Sequence, residues 1–451
     1  MLRSRAKSQM KPFQVTIILL QRDSLSVFKE AAATCERQNF PAWRRSSVQL
    51  ICGVIFASRG VALIKAFSKM SKLHEVVIIG SGIMGSCTAY HAALARLNPV
   101  VLEQFSRGHA KGSSHGKSRI IRYSHGDSTY LPIMKESYEL WDELAERSGS
   151  KLVNKCGLLR ICDKGSAEKY AKILNDANIP NRLMTGKEIR SEFSQFQYND
   201  SWHGMLDIEG GIIYADKCLE AAQDQAAKHG ANFNFDEKVL EIKNEADHVT
   251  VITNRETYCA KNVVVTAGGW LSKVLPEMNN LVHTQAEQIG TFYWTIKSNP
   301  EKFVDENKCP TVVIEARDAK MFMVPPVDYP MQIKLCIDAC EAIDPDNPLS
   351  KMPQWMEDYL KNHIAQHMPD VDASAPSKVD LCVYTMTKDS HYAIGRLPSN
   401  SRIVVAGGFS GSGMKLAISV GRMMADLVRG ADEEATVPSL FSLTRARECT
   451  H

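Results

Sequence analysis

The chain has 451 residues, of which 44% are hydrophobic and 23% are charged. This length allows two domains, and the composition excludes a disordered or fibrous chain. The formal net charge of +3 is unevenly distributed, because residues 1–72 contain 13 Lys or Arg against 3 Asp or Glu and the remainder therefore carries −7; this mildly acidic remainder argues against a nucleic-acid partner.

The first 72 residues are rich in Arg and Ser and poor in acidic residues, a composition typical of an organelle-targeting segment. A disordered extension, or one that comes from an upstream start, is the alternative. Val48 to Phe67 is apolar, but Arg59 and Lys65 interrupt it, and charges near the centre of a bilayer are costly. We therefore expect no membrane span here and a fold that begins near residue 73.

The stretch from His74 to Glu103 predicts the first unit of a nucleotide-binding sheet. Short apolar runs rich in β-branched residues are typical of buried parallel strands, and spaced Ala and Leu residues between them favour a helix. The predicted elements are a strand, a glycine-rich turn, a helix and a second strand, at His74–Ile79, Gly80–Gly85, Ile83–Leu97 and Pro99–Leu102.

The turn in this stretch is a G-x-G-x-x-G motif. Gly80 allows a tight turn, Gly82 lets a pyrophosphate approach the backbone, and Gly85 lets the helix pack closely on the strand. The phosphates would lie at the helix N-terminus, where free N–H groups and the helix dipole favour anions. Glu103 would accept hydrogen bonds from a ribose diol. The motif therefore predicts dinucleotide binding, and chance glycines in a loop are the alternative.

The rest of the chain alternates helices with strands, and this order predicts the α/β fold class. The predicted helices are Tyr130–Ser148, Asp216–Lys228 and Leu416–Val428. The predicted strands are Lys155–Cys162, two within Lys238–Thr253, Asn262–Trp270 with its glycine-rich end, Leu381–Thr387 and Arg402–Gly407. Four further strands, expected to form one antiparallel sheet over a substrate pocket, are Phe292–Ile296, Val312–Glu315, Lys320–Val324 and Gln332–Ile337.

Three basic residues in this order of elements are candidates for ligand binding. Arg119 and Arg122 lie three apart in the Gly- and Ser-rich segment that starts at Gly112. They are either surface salt-bridging residues, or one of them binds a carboxylate through two parallel hydrogen bonds. Lys334 is the one basic residue of its strand; an outward-facing lysine is the default, and an inward-facing one over a cofactor is the functional alternative.

The sequence gives little support for a metal site. The cysteines contain no C-x-x-C pair, which favours a reduced compartment without a disulfide framework. His363 and His367 share one helix face but lack the Glu of the H-E-x-x-H motif. We therefore predict a solvated helix there, and no metal.

Six motifs, taken in their order, resemble those of the monomeric sarcosine oxidase and peroxisomal L-pipecolate oxidase family, which belongs to the D-amino-acid-oxidase-like flavoproteins. The resemblance covers about residues 73–445. The motifs are GSGIMG (80–85), GSSHGKSRIIR (112–122), VVVTAGGW (263–270), IKL around Lys334, CVYTMTKDSHY (382–392) and GGFSGSGMK (407–415).

The resemblance implies FAD as the cofactor and a covalent thioether between Cys382 and the flavin. It implies that Arg122 and Lys415 hold the substrate carboxylate, with Tyr384 beside it. It also implies that Lys334 lies over the flavin, where a fixed cation would lower the barrier to one-electron reduction of oxygen. The residues that it implies around the cofactor are Gly80, Gly82, Ile83, Met84, Gly85, Glu103, Ser114, His115, Arg119, Gly411 and Gly413.

The activity implied by the resemblance is oxidation of a secondary amino acid by oxygen, with sarcosine as the first candidate and L-pipecolate as the second. Sarcosine would give glycine, formaldehyde and hydrogen peroxide. An NAD(P)-dependent dehydrogenase is an alternative of another class, although such an enzyme needs neither Cys382 nor the last glycine-rich turn. A flavin-binding protein without turnover is a further alternative.

Two positions depart from the family's pattern. Asp338 stands where the family has a histidine four residues after the lysine, and Ser412 stands between Gly411 and Gly413 where the family has a histidine. We expect Asp338 to point away from the pocket, because Arg122 and Lys415 are retained and an unpaired buried carboxylate is costly. The alternative is that Asp338 faces the pocket and that the substrate is larger or carries an extra cationic group.

The resemblance also predicts a two-domain, mixed α/β arrangement, in which a Rossmann-like FAD-binding domain is interleaved with an antiparallel-sheet substrate domain. The FAD-binding parts would be about residues 73–150, 210–275 and 380–430, and the substrate-domain parts about 151–209 and 276–379. We expect a monomer. The implied compartment is the peroxisome, although the chain ends in Cys-Thr-His and not in an S-K-L-type address; the mitochondrion and the cytoplasm are the alternatives.

Overall fold

The structure, a computed structural model, describes residues 72–304 and 309–445 together with the backbone of three short strands nearer the N-terminus. The chain divides into two compact units, residues 1–72 and 73–451. In the first unit, β1 (Ile18–Leu20), β2 (Cys52–Ala57) and β3 (Gly60–Lys65) form an antiparallel sheet in the order β1-β3-β2. Otherwise, the predicted targeting or disordered character of residues 1–72 lies outside the described residues. No helix in the described part of the chain has the length and apolar character needed to cross a bilayer.

The second unit combines helices with parallel and antiparallel strands. Its strands are β4 (Leu73–Ile79), β5 (Val100–Leu102), β6 (Ser118–Ile121), β7 (Val153–Asn154), β8 (Leu158–Cys162), β9 (Asn181–Thr185), β10 (His203–Asp207), β11 (Gly211–Tyr214), β12 (Asn232–Asn234), β13 (Val239–Asn244), β14 (Val249–Thr253), β15 (Thr257–Val265), β16 (Thr284–Thr295), β17 (Thr311–Glu315), β18 (Lys320–Val324), β19 (Gln332–Ile337), β20 (Glu341–Ala342), β21 (Lys378–Thr387), β22 (Ala393–Leu397) and β23 (Asn400–Gly407). Its α-helices are α1 (Ile83–Leu94), α2 (Tyr130–Ser148), α3 (Lys164–Asp176), α4 (Gly186–Glu192), α5 (Ala215–Lys228), α6 (Leu271–Val274), α7 (Glu301–Val304), α8 (Gln354–His367), α9 (Ala417–Val428) and α10 (Glu433–Thr436).

The first large sheet is built around β4, and its order is β12-β5-β4-β15-β14-β13, with β23 alongside β15 and β22 alongside β23. The strands β12, β5, β4, β15 and β23 pair in parallel. Val76, Val77 and Ile78 are fully buried, as expected for a parallel strand that is covered on both faces. The carboxyl ends of the parallel strands meet at one edge, which is where open α/β sheets bind ligands. The parallel strands predicted from the sequence for this sheet are thus confirmed.

The second large sheet has the order β20-β16-β19-β18-β17-β8-β10-β9, and β21 also pairs with β16. Its strands β16, β19, β18 and β17 are antiparallel neighbours, which confirms the predicted antiparallel sheet. Side chains alternate between the two faces of each strand. Met321, Met323, Ile333 and Leu335 are fully buried on one face, where they pack in a core with residues of α8. The opposite face of β18 and β19 is therefore left for a cavity.

A third, short sheet is formed by β6, β11 and β7, in that order. β11 pairs antiparallel with β6, with Ile213 opposite Arg119 and Gly211 opposite Ile121. This pairing fixes the direction in which the chain leaves β6. The arginine that follows, Arg122, is thereby placed next to the cavity.

Two local predictions need correction. Helix α1 ends at Leu94, three residues before the predicted end, because the chain turns through left-handed conformations at Arg96 (φ 62°) and Asn98 (φ 46°). His363 is buried rather than solvated, and its Nε2 is 2.9 Å from the hydroxyl of Tyr198.

The predicted division into FAD-binding and substrate parts stays a prediction. One strand shows how closely the two parts are connected. β21 begins near the third predicted FAD-binding part, but it pairs over ten residues with β16 of the second large sheet. Cys382 therefore lies on a strand of the second large sheet, opposite Ile289 of β16.

Candidate active site

A cavity of about 510 Å³ lies between the carboxyl edge of the first sheet and the free face of β18 and β19. We call the Gly80–Gly85 turn together with Glu103 the floor of this cavity. We call the cavity side chains of β18 and β19 (Lys320, Phe322, Val324 and Lys334), together with Asp338 just after β19, the roof. Gly85 is the one predicted site residue that does not line the cavity; those that do are Gly80, Gly82, Ile83, Met84, Glu103, Ser114, His115, Arg119, Arg122, Lys334, Cys382, Tyr384, Gly411, Gly413 and Lys415.

The glycines of the floor are required by close backbone contacts. Gly80 has φ +96°, and a Cβ there would lie 2.6 Å from the carbonyl oxygen of Thr266. A Cβ on Gly85 would lie 1.9 Å from the carbonyl oxygen of Gly80. Gly85 does not contact the cavity; its role is to let α1 lie close to the end of β4. The tight turn and close packing expected for two of the glycines are present in the structure.

Glu103 follows β5 and lies beside the same turn. Its carboxylate accepts hydrogen bonds from the backbone N–H groups of Ser81 (2.8 Å) and Phe105 (3.0 Å), and the residue is 6% exposed. These bonds fix the carboxylate at the cavity wall. Its predicted role toward a ribose diol stays a prediction.

The segment before β6 packs against the N-terminus of α1. Ser114 Oγ accepts the backbone N–H of Ile83 at 2.9 Å. Arg119 donates to the carbonyl oxygens of Ser113 (2.9 Å), His115 (2.8 Å) and Ser118 (2.8 Å). Because these carbonyls occupy the guanidinium, Arg119 holds the segment in shape and is less available to a substrate carboxylate than Arg122.

Cys382 lies on β21 against this segment, and it is 3% exposed. Its Sγ is 3.8 Å from Nη2 of Arg119. Burial alone would raise the pKa of the thiol, but a hydrogen bond with His115 and the charge of Arg119 outweigh burial, so that the pKa is lowered. A thiolate is the nucleophilic form of cysteine. The surroundings of Cys382 therefore favour covalent chemistry at the cavity wall.

Lys334 is a buried residue of the roof and not a surface lysine. It is 3% exposed, and its Nζ lies 2.8 Å from Oδ2 of Asp328 and 2.8 Å from Oγ of Ser118. Asp328 in turn accepts the backbone N–H of Lys117 at 2.9 Å and the hydroxyl of Ser118. Burial lowers the pKa of the Lys334 ammonium, and the carboxylate of Asp328 opposes that shift.

Arg122 and Lys415 come from different elements and line one end of the cavity. The Nε of Arg122 is buried without a hydrogen-bond partner, and burial together with the charge of Arg160 lowers its pKa to about 10. Lys415 Nζ donates to the carbonyl oxygen of Ser412 at 2.6 Å. Burial and then the charge of Arg122 hold the pKa of Lys415 well below its ordinary value. An anion bound here would relieve the repulsion between these two cations.

Asp338 contradicts the expectation that it points away from the pocket. It lines the cavity, and its Oδ2 lies 3.6 Å from Nζ of Lys320. The reason is the strand period, because a residue four positions after Lys334 shares its face. The same period could have indicated Lys320, which shares a face of β18 with Phe322, although sequence reasoning missed it.

Asp328 was also missed, and the sequence holds no comparable signal for it. It lies in the segment between β18 and β19, outside any strand or helix, so no periodicity indicates the direction of its side chain. Only the three-dimensional structure shows that it pairs with Lys334.

The cavity suits an extended anionic cofactor better than a metal ion. Among residues 72–304 and 309–445, no group of three His, Cys, Asp or Glu side chains is arranged to hold a metal. At the floor, the N-cap residue of α1 is Gly82, which has no side chain to cap the helix. Phosphates bind well at such a helix N-terminus. At the other end, a second glycine-rich turn lines the cavity and packs closely on Tyr384, where a Cβ on Gly411 would lie 2.6 Å from the ring. These features fit FAD.

Comparison with known proteins agrees with this fit. A family model described as FAD dependent oxidoreductase matches residues 75–427. A Caenorhabditis elegans protein is 36% identical over 382 residues, covering 83% of this chain and 98% of that protein. Two mammalian proteins named peroxisomal sarcosine oxidase also match. The human protein is 32% identical over 361 residues, covering 79% of this chain and 92% of that protein, and the mouse protein is 31% identical over 361 residues, covering 78% and 91%.

The fold has a counterpart among solved structures. NikD, described as an unusual amino acid oxidase essential for nikkomycin biosynthesis, superposes with a TM-score of 0.72 at 21% sequence identity. The match covers 82% of this chain and 98% of NikD, and it confirms the mixed α/β fold class predicted from the sequence. The family model and the relatives above 30% identity carry the assignment further: the chain belongs to the FAD-dependent oxidoreductase family, and it is an enzyme of that family that uses FAD.

Proposed function

We propose that the protein oxidises a secondary amino acid with oxygen as the electron acceptor. Sarcosine is the first candidate substrate and L-pipecolate is the second. The observation that carries the proposal is a pair of cations, Arg122 and Lys415, at one end of the cavity whose roof holds the buried Lys334. The names of the mammalian relatives support sarcosine.

Arg122 and Lys415 would hold the substrate carboxylate. The Nε of Arg122 has no partner in the protein, and a guanidinium matches a carboxylate with two parallel hydrogen bonds. Lys415, which lines the same end of the cavity, would add a second charge. Fixing the carboxylate at two points orients the carbon–nitrogen bond and thereby removes much of the entropic cost of the reaction.

FAD, when bound, supplies the hydride acceptor for the amine and the reductant for oxygen. Lys334 would supply a buried positive charge. This charge would stabilise the negative charge that forms when oxygen is reduced. Preorganised charges of this kind are worth far more in an enclosed site than in water. The imine product would be hydrolysed after release.

Cys382 would hold FAD covalently. Its lowered pKa and its contact with Arg119 support this role. The control is Cys162, which is also buried but whose pKa burial raises to about 12. Acid precipitation of the wild-type holoprotein should leave the yellow colour in the pellet, and Cys382→Ser should release the colour into the supernatant, whereas Cys162→Ser should not. Release of the colour from the wild type would refute the covalent link.

The substrate proposal is tested by measuring oxygen consumption and peroxide release with sarcosine, L-pipecolate, L-proline and glycine. We expect turnover with sarcosine or L-pipecolate, and little with the primary amine glycine. Arg122→Gln should raise KM strongly, whereas Arg182→Gln, which alters an exposed arginine paired with Glu192, should not. A yellow protein that oxidises none of the four would favour a flavin-binding protein without turnover. Absence of a flavin spectrum, with activity on addition of NAD(P), would favour a dehydrogenase.

We also propose that the protein is monomeric, as the family resemblance implies, and that it works in the peroxisome. The names of the mouse and human relatives support this compartment. Light scattering of the purified chain tests the first statement. Fluorescence microscopy of the tagged full chain tests the second, because residues 1–72 could instead direct it to the mitochondrion.

A further inference from the structure

The two lysines of the roof, Lys334 and Lys320, each pair with an aspartate, and the two pairs differ in their surroundings. Lys334 and Asp328 are 4% and 5% exposed at the side chain and are 2.8 Å apart. Lys320 and Asp338 are 47% and 35% exposed and are 3.6 Å apart. A loose, exposed ion pair contributes little free energy. The ammonium of Lys320 is therefore free to bind a ligand in the cavity, which the tightly held Lys334 is not.

The two pairs lie at different places on the roof. Asp338 follows the last residue of β19 and is four residues from Lys334, which corresponds to about 13 Å along extended backbone. Lys320 is next to Asp338 on the neighbouring strand, since the backbone N–H of Asp338 donates to its carbonyl oxygen at 2.7 Å. Lys320 thus lies well away from the charge proposed to act on oxygen, and the side chain between them on the roof is Phe322.

Lys320 lies at the same end of the cavity as the proposed carboxylate site. Its partly enclosed position and the charge of Arg122 lower its pKa, and Lys320 in turn lowers the pKa of Lys415. The lining of this end thus contains three cationic side chains and one carboxylate, Asp338. These lining groups carry two more positive than negative charges. One substrate carboxylate would balance one of the two and leave the other. A second ammonium on the substrate would be repelled.

We propose that Lys320 is a second anion-binding residue of the substrate pocket and that the enzyme accepts N-methyl amino acids with a carboxylate in the side chain. This inference rests on the proposed function. Arg122 and Lys415 would take the α-carboxylate, and Lys320 would take the side-chain carboxylate. Asp338 competes for the same ammonium, so it positions Lys320 in the empty pocket and limits the affinity for the second carboxylate.

The kinetic test compares sarcosine and N-methyl-alanine with both enantiomers of N-methyl-aspartate. Lys320→Met should lower kcat/KM for N-methyl-aspartate by about tenfold or more, mainly through KM, because one charge-assisted hydrogen bond is lost. Because Lys320 also acts on Lys415, the readout is the ratio of kcat/KM for N-methyl-aspartate to kcat/KM for sarcosine, which should fall by about tenfold in Lys320→Met. Asp338→Asn should raise kcat/KM for N-methyl-aspartate. Lys172→Met, which alters an exposed lysine paired with Asp176 on α3, is the matched control.

A binding test uses the holoprotein without turnover. Succinate should raise the thermal unfolding midpoint more than acetate does at the same concentration, because only a dicarboxylate reaches both sites. Lys320→Met should abolish this difference, and Lys172→Met should keep it. Equal effects of succinate and acetate on the wild type would overturn the inference, and so would an equal loss of activity toward all substrates in Lys320→Met. Failure of the wild type to oxidise any secondary amino acid would instead overturn the proposed function, and the binding test would still decide the role of Lys320.

Discussion

The floor and the roof of the cavity are built in different ways. The floor consists mainly of backbone: a glycine turn, the N-terminus of α1 and a carboxylate held by backbone N–H groups. The roof consists of side chains that come from two antiparallel strands. Backbone groups bind any dinucleotide in much the same way, whereas side chains set which small molecule reacts. The difference indicates that the cofactor is a property of the fold and that the substrate is a property of a few exchangeable residues.

The strongest way to break the floor is to add one methyl group at Gly85. In Gly85→Ala the new Cβ would lie 1.9 Å from the carbonyl oxygen of Gly80 and 2.7 Å from Oγ1 of Thr266. Because the first of these neighbours is backbone, α1 and the end of β4 must separate, which costs about 3 kcal/mol or more. We expect a lower thermal unfolding midpoint and loss of bound FAD, measured by calorimetry and by the flavin absorbance of the purified protein.

Gly126→Ala is the matched control for this prediction, because a Cβ there meets no atom within 4 Å. It should keep both the unfolding midpoint and the yellow colour. A Gly85→Ala protein as stable and as yellow as this control would show that the close contact between helix and strand is not needed.

The same difference explains how much could be predicted from the sequence. The floor was accessible because strand, turn, helix and acid follow one another within about thirty residues, so local spacing carries the geometry. The strand that contains Lys334 was predicted, but the face on which its side chain lies stayed open. Asp328 could not be found, since it reaches Lys334 from an irregular segment. Asp338 was predicted to point away, because the cost of an unpaired carboxylate was considered without Lys320, which supplies the partner from another strand.

The role of the roof in oxygen chemistry is tested by Lys334→Met. Loss of one preorganised charge costs a few kcal/mol, or about a hundredfold in rate. Stopped-flow kinetics should show that reoxidation of the reduced enzyme by oxygen slows by about this factor, while reduction by substrate changes far less. Lys320→Met, on the same roof, should leave reoxidation unchanged. Equal reoxidation rates in the wild type and in Lys334→Met would remove Lys334 from the mechanism.

A smaller effect is expected from Asp328→Asn, which keeps the shape of the side chain and removes its charge. Asp328 opposes the lowering of the Lys334 pKa that burial causes. Without this charge the pKa of Lys334 falls further, so the ammonium loses its proton at a lower pH than in the wild type. The charged form is the active one, and the rate of reoxidation should therefore be near that of the wild type at low pH and fall off earlier as the pH rises.

The measurement is the rate of reoxidation between about pH 6 and pH 10, where we expect a loss of about tenfold at the alkaline end, because the carboxylate that opposes the lowering of the Lys334 pKa is gone. Recovery of the rate at low pH separates an electrostatic effect from a structural one, because a displaced Lys334 would be slow at every pH. In the Lys334→Met background, Asp328→Asn should have no further effect, since a double-mutant cycle assigns the coupling to the pair. A pH profile that Asp328→Asn leaves unchanged would mean that Asp328 does not maintain the charge of Lys334, and the two Lys–Asp pairs of the roof would then differ in burial alone.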